Sequence, residues 1–307
     1  MLPSMTPPTI RDLLAGRRQP TLSLEFYPPK DPLGFGILGG SIERMRPVHP
    51  DFVTCTYGAG GSSREFSFAA WELLGRMGFT PVVAHLTCVG ASRADLEAQI
   101  RRIHESGIRN IMALRGDPPR GETAFTPAPD GLAHASDLVA LIKSLHPDIC
   151  CGVAGYPETH PEASSPADDL RYLKAKLDAG ADFVNTQLFF DNDAYFRFVD
   201  AARAAGIEAP ILPGLMPVAS PAQLDRALGF SRATAPDALR AALAAPSPAA
   251  ARAAGIDWLV RQIDGLVAGG APGIHLYILN QARTLLDPGL AACLARWRQS
   301  PALNADL

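Results

Sequence analysis

A glutamate near the start of the chain stands where proton transfer would be useful. Leu22-Ser23-Leu24-Glu25-Phe26 is a short apolar run closed by Pro28-Pro29. Alternation along a strand puts Leu22, Leu24 and Phe26 on one face and Ser23 and Glu25 on the other. If the apolar face packs on helices, Glu25 points into a concave mouth, where desolvation raises a carboxyl toward a proton-donor value. The structural alternative is a glutamate paired with Arg115 or Lys30. Arg115-Gly116-Asp117 closes another apolar run. There the glycine admits close backbone approach, the arginine can fork onto phosphate or carbonyl oxygens, and the aspartate can accept from a heterocycle N–H. An ordinary tight turn with a salt bridge explains the same triplet equally well. His85 and His160 lack a second His or Cys at ligand spacing, so hydrogen bonding is favoured over metal ligation. Asp169, Tyr172 and Lys176 form one helix stripe at i, i+3 and i+7, either a solvated face or a grip on a ligand.

These residues need elements to position them. Eight apolar runs of strand length, each bounded by Gly or Pro, follow one another: Leu22–Phe26, Phe52–Thr56, Pro81–Leu86, Asn110–Leu114, Cys150–Ala154, Phe183–Gln187, Pro210–Leu212 and Ile274–Leu279. Helix-like segments lie between them. Ser92–Ser106 opens on a capping serine with Asp95 three residues on, and Gly107 stops it. Pro166–Ala179 carries Leu170, Leu173 and Leu177 as an apolar stripe, and Asp191–Ala205 behaves alike. Alternating strands and helices predict an α/β fold with a parallel sheet. A (β/α)8 barrel is preferred over an open doubly wound sheet, because the units run in unbroken series and polar residues recur at strand ends. Barrel active sites form at those C-terminal ends. Residues 220–270 exceed one helix and predict an elaborated crossover between strands 7 and 8. The expectation is one barrel domain over 1–307, with a short N-terminal extension before strand 1.

Bulk properties exclude other classes. The 307 residues are 47% hydrophobic and 19% charged with net charge -3, enough for a large core. No Lys/Arg-rich run is present, so nucleic acid is not an expected partner. No apolar stretch reaches signal-peptide or membrane-span length, which predicts a cytoplasmic protein with no membrane partner. Cys55, Cys88, Cys150, Cys151 and Cys293 show no zinc-site spacing and read as reduced core thiols. No metal is expected. Gly34-Phe35-Gly36-Ile37-Leu38-Gly39 matches GxGxxG in form, but prolines separate it from the preceding strand, so it is set aside as a phosphate loop.

The strand-end residues together resemble the methylenetetrahydrofolate reductase family. The stretches are Leu24-Glu25-Phe26-Tyr27-Pro28-Pro29, Thr56-Tyr57-Gly58-Ala59-Gly60-Gly61, His85-Leu86-Thr87-Cys88, Leu114-Arg115-Gly116-Asp117, Ala135-Ser136-Asp137-Leu138, Tyr156-Pro157-Glu158, His160-Pro161-Glu162, and Thr186-Gln187 with Phe189-Phe190-Asp191. Each is weak alone; eight in order are specific.

The resemblance implies a barrel holding FAD non-covalently, with NADH or NADPH as co-substrate and 5,10-methylenetetrahydrofolate as substrate. It assigns Thr56, Tyr57, Ala59, His85, Arg115, Gly116, Asp117, Ala135, Tyr156, His160, Asp169 and Lys176 to FAD. Glu25, Thr56, Asp117, Gln187, Gln223 and Tyr277 are assigned to folate. Glu25 would protonate the leaving ring nitrogen, reduced flavin would deliver hydride to the resulting iminium ion, and Asp117 would bind the pterin edge and tune the flavin. The two half-reactions would alternate at one flavin face, and a homo-oligomer is expected. Three positions depart from the family pattern. Gln281 stands where many bacterial relatives have arginine, Ala227 near where NADH-favouring relatives have an aromatic, and Tyr172 where a polar residue is usual. Weaker use of NADH or folate than in relatives with the arginine and the aromatic is the expectation. The rival functions are a metal-dependent barrel hydrolase or lyase and a non-catalytic pterin-binding barrel.

Overall fold

The computed structural model describes residues 8–57, 61–118, 125–231, 233–278 and 280–299. Within them eight parallel strands close into a barrel in sequence order, β1 hydrogen-bonding to both β2 and β8. The strands are β1 (Thr21–Phe26), β2 (Phe52–Cys55), β3 (Val82–Thr87), β4 (Asn110–Leu114), β5 (Cys150–Gly155), β6 (Phe183–Leu188), β7 (Ile211–Leu215) and β8 (Gly273–Tyr277). The expected barrel is present and the open sheet is not. The seventh strand runs beyond its predicted end at Leu212, through Pro213 and Gly214. Those residues read as terminators, but a proline is tolerated where pairing is irregular, and the β6–β7 register shifts between Asn185 and Leu188.

The helices are α1 (Ile10–Gly16), α2 (Pro32–Met45), α3 (Gly61–Arg76), α4 (Arg93–Glu105), α5 (Ala135–Leu145), α6 (Pro166–Asp178), α7 (Asn192–Ala204), α8 (Pro221–Ser231), α9 (Asp237–Leu243), α10 (Pro248–Ala268), α11 (Ala282–Leu285) and α12 (Pro288–Gln299). Their starts are written in the sequence. Ser92 caps α4 with Asp95 completing the box, Ser165 caps α6 ahead of Pro166, and Asp191 caps α7. The set-aside glycine motif lies inside α2, whose cap is Asp31, so no strand-to-helix phosphate loop forms there. The elaborated crossover between β7 and β8 consists of α8, α9 and α10.

Two cores divide the barrel wall. Leu22, Leu24 and Phe26 pack outward in the large cluster between strands and helices, as alternation requires. Inside, Phe52, Val83, Met112, Cys150, Phe183 and Leu212 fill the lower barrel. The N-terminal extension closes that end: α1 inserts Ile10 and Leu14 into the inner cluster, and the Ile10 amide donates to Asn110 Oδ1 at 2.8 Å. Asp182 ties the plug to the wall by accepting from Arg11, from Lys143 and from the Cys151 amide. Leu14 is 1% exposed, so Leu14→Ala should cost ~2–4 kcal/mol by denaturant titration. The lower barrel is thus sealed and apolar, leaving the upper end for polar groups. All five cysteines are free and buried; burial pushes the Cys88 and Cys151 thiols up to about 12.

Candidate active site

A cavity of about 1050 Å³ opens at the C-terminal ends of the strands. It gathers residues from separate strands and from the loops and helices that follow them. Glu25, Thr56, Tyr57, His85, Arg115, Gly116, Asp117, Ala135, Tyr156, His160, Asp169, Lys176, Gln187 and Tyr277 all line it. Of the sequence-derived site residues, Ala59 lies outside the described residues. Gln223 is not brought to this wall. It starts α8, and its Oε1 accepts from the Ala219 amide at 2.7 Å.

Glu25 sits deep in the mouth, its side chain 17% exposed. Register explains its neighbours: it lies opposite Thr54 on β2 and Tyr277 on β8. The Thr54 hydroxyl donates to Glu25 Oε2 at 3.3 Å. His275 Nε2 lies 3.4 Å from the same oxygen and His85 Nε2 3.5 Å. The structural alternative for Glu25 is corrected, because Arg115 instead forks onto Glu162 at 2.5 and 2.8 Å. The expectation of a raised carboxyl is corrected too. Burial raises it, but the His275 hydrogen bond, the His85 and His275 rings and Thr54 together hold it below the usual carboxylate range. His85 itself is pushed down, first by burial, so its ring is neutral at neutral pH.

The α6 stripe turns toward the cavity. Asp169 accepts from the His160 amide at 2.9 Å, and burial raises its carboxyl. Lys176 Nζ donates to the Ala154 carbonyl at 2.6 Å, and burial pushes the ammonium down to about 8. His160 Nδ1 accepts from the Glu162 amide, which leaves its Nε2–H as a donor. Tyr156 packs edge-on against His160, and burial raises its phenol to about 12. Gly116 has φ +88°, and a Cβ there would come within 2.7 Å of Val89. The backbone thus turns tightly against Val89, and with the Arg115–Glu162 pair this is the turn and salt bridge that the triplet also allowed.

A planar heterocycle fits this lining. His85 Nε2, Thr87 Oγ1 and Asn185 Oδ1 are buried around the cavity without hydrogen-bond partners, beside the apolar Met112, Ala113, Leu188 and Met216. His85 Nε2 lies near Glu25, but the unpartnered Thr87 and Asn185 oxygens beside an apolar lining are what a ring with a polar edge satisfies.

The departures are placed as follows. Tyr172, 50% exposed, lines the cavity. Gln281 is exposed and away from it. Ala227 is 1% exposed in a satellite cluster under α8 and does not face the cavity; Phe230, 60% exposed on the same helix, does. Three residues after Ala227, α8 thus presents an aromatic to the cavity. Sequence reasoning also missed Thr54, Ser23 and His275. Alternation could have found them, since Ser23 shares the Glu25 face and His275 the Tyr277 face.

One other titratable cluster stands apart. His104, His146 and Asp148 bring ligand atoms within 4.8 Å of one another before β4 and β5, at the opposite end of the barrel. The two rings stack at 3.9 Å and 17°, so their lone pairs run side by side instead of converging, and Arg109 already pairs with Asp148. No helix among the described residues is long and apolar enough to cross a membrane.

The methylenetetrahydrofolate reductase family model matches residues 9–287. A 5,10-methylenetetrahydrofolate reductase of Pectobacterium carotovorum is 36% identical over 263 residues, covering 85% of this chain and 86% of that protein. Methylenetetrahydrofolate reductase (NADH) 1 of Arabidopsis thaliana is 36% identical, covering 85% of this chain and 46% of its own length. Methylenetetrahydrofolate reductase 1 of Schizosaccharomyces pombe is 37% identical, covering 88% and 47%. The chain thus spans about half the length of these plant and yeast relatives. A Clostridium thermocellum protein described as binding two copies of 5-methyl-5,6,7,8-tetrahydrofolic acid shares the fold, with TM-score 0.64 at 14% identity over 94% of this chain and 99% of that one. With the family model covering nearly the whole chain and a bacterial relative matched over most of its length, this chain belongs to the methylenetetrahydrofolate reductase family.

Proposed function

We propose that the chain reduces 5,10-methylenetetrahydrofolate to 5-methyltetrahydrofolate, using non-covalent FAD and NADH or NADPH. The observation that carries this reading is the convergence of the motif residues on one cavity, with a carboxyl at its floor. FAD, when bound, supplies a two-electron carrier that accepts from the nicotinamide and gives to the folate. The two substrates use the cavity alternately.

The chain's own groups do the rest. Lys176, Arg115 and the Gly116 backbone suit the cofactor's phosphates and ring edge, while His160 and Asp169 suit its hydroxyls. Arg115 must leave Glu162 to do so. Asp117 accepts from the pterin edge, and Gln187 and Tyr277 hold the folate against the cofactor. The Tyr277 phenol is anchored by donating to the Thr186 carbonyl at 2.8 Å. Glu25 gives a proton to the ring nitrogen that leaves as the five-membered ring opens. Ligands closing over Glu25 expel its remaining water, which shifts it toward the protonated acid relative to the open cavity. Gln223 would have to release the Ala219 amide to reach the folate, as Arg115 must release Glu162.

The chain over 1–307 acts as one barrel domain in this reading, in the cytoplasm and as a homo-oligomer; five free buried thiols suit a reducing compartment. Incubation with excess FAD, removal of free flavin and an absorption spectrum test the proposal. A bound flavin spectrum without stoichiometric metal is expected. Flavin-free protein, or protein carrying a catalytic metal, would overturn it in favour of the hydrolase or the non-catalytic barrel.

A further inference from the structure

His275 is fully buried at 0% exposure, inside the barrel directly below Glu25. The β1–β8 register sets Ser23 opposite His275 and Glu25 opposite Tyr277. Ser23 Oγ lies 2.9 Å from His275 Nδ1 and 3.4 Å from the Ile274 carbonyl. A carbonyl can only accept, so a serine hydroxyl donating to it offers its lone pair to Nδ1–H. The ring's other nitrogen then faces Glu25 Oε2 at 3.4 Å. Other ionisable neighbours among the described residues include His85 on β3, 3.5 Å from Glu25, the buried Cys55 thiol on β2, and Tyr277, whose ring meets His275 edge-on at 4.9 Å. The Tyr277 hydroxyl is spent on Thr186, so it does not compete for Nε2.

We propose that His275 is the positioning residue for Glu25: Ser23 fixes its ring through Nδ1, and Nε2 holds and supplies the proton that Glu25 gives to the substrate. This rests on the reading of Glu25 as the acid. One proton is shared between Nε2 and Oε2. In the open cavity, water, Thr54 and the two imidazoles favour the Glu25 carboxylate. When substrate closes the cavity, the Nε2–H bond breaks and the Oε2–H bond forms, leaving a neutral acid on a neutral ring. The Oε2–H bond then breaks as the substrate's amine nitrogen takes the proton and the C–N bonding pair. Glu25 is left as a carboxylate facing a neutral Nε2, and solvent returns the proton once the product leaves. Ser23 accepts from Nδ1 throughout.

Two measurements test this. The first is ¹⁵N imidazole NMR on the flavin-bound protein, in which His275→Gln identifies the resonances among seven histidines. A protonated Nδ1 is expected, with an Nε2 signal that shifts on Glu25→Gln and an Nδ1 signal that shifts on Ser23→Ala. An Nε2 signal indifferent to Glu25→Gln overturns the proposal. The second is stopped-flow of the two half-reactions. His275→Gln should slow the folate half-reaction by roughly tenfold or more and leave the nicotinamide half-reaction within about threefold. Ser23→Ala, a smaller change, should show the same split at about threefold, and stands alone if His275→Gln does not fold. Equal slowing of both half-reactions, or slowing of neither, overturns the proposal. If Glu25→Gln also leaves the folate half-reaction intact, the parent reading falls with it. If Glu25→Gln slows it and the other two variants do not, only this inference falls.

Discussion

Glu25→Gln is expected to slow the folate half-reaction at least ~100-fold while the nicotinamide half-reaction stays within about tenfold of the parent. Electron transfer from the nicotinamide needs no proton donor. Opening the methylenetetrahydrofolate ring does, because an amine anion is a very poor leaving group. Glutamine nearly matches glutamate in shape and can still accept from Thr54, so the barrel should fold. FAD retention and an unchanged unfolding midpoint check that. Equal loss in both half-reactions would make Glu25 a support for the cofactor or the fold. No loss in either would place the proton donor elsewhere.

Lys176 should make FAD binding fall with rising pH. Its ammonium is pushed down to about 8 by burial, although Asp169 opposes that and the Ala154 carbonyl accepts one proton. A cofactor phosphate near Nζ would favour the charged form, so binding takes up a proton above the free enzyme's value. The FAD dissociation constant should therefore rise above pH 8, by up to tenfold per pH unit, the limit for one linked proton. Lys176→Met should flatten that slope and weaken binding at pH 7. Stability without FAD should move the other way. Between pH 8 and the ordinary lysine value of 10.5 the unfolded chain holds the proton that the folded chain has released, so Lys176 adds stability as pH rises through that window. Fluorescence titration of FAD across pH 7–9.5 checks the first sign and chemical denaturation of the apoprotein the second. A flat FAD profile in the parent would remove Lys176 from the cofactor site.

How much was legible before the structure differs residue by residue. Alternation alone put Glu25 on the interior face, because Leu22, Leu24 and Phe26 had to pack outward. Strand-end position and motif order brought Thr56, His85, Arg115 and Asp117 to one cavity, because a closed barrel leaves strand ends nowhere else to converge. The ionisation of Glu25 was not legible. It depends on His275, 250 residues away in sequence, and only barrel closure and the β1–β8 register make them neighbours. The local hydrogen bond of Gln223 could not be read, since the Ala219 amide that holds its carboxamide precedes the start of α8. Helical phase hid the aromatic: Ala227 faces the satellite core, and Phe230, three residues on, faces the cavity. The Arg115–Glu162 fork could not be read either, because two loops that meet only in space supply it.

Folate reduction in this cavity is tested most directly by an anaerobic reaction of the FAD-bound chain with NADH and 5,10-methylenetetrahydrofolate, the products separated by chromatography. One 5-methyltetrahydrofolate should form per NADH oxidised, with NADPH tested in parallel, and Glu25→Gln should lose product formation. NADH oxidation without 5-methyltetrahydrofolate from either nicotinamide, or product formation unchanged in Glu25→Gln, would contradict it.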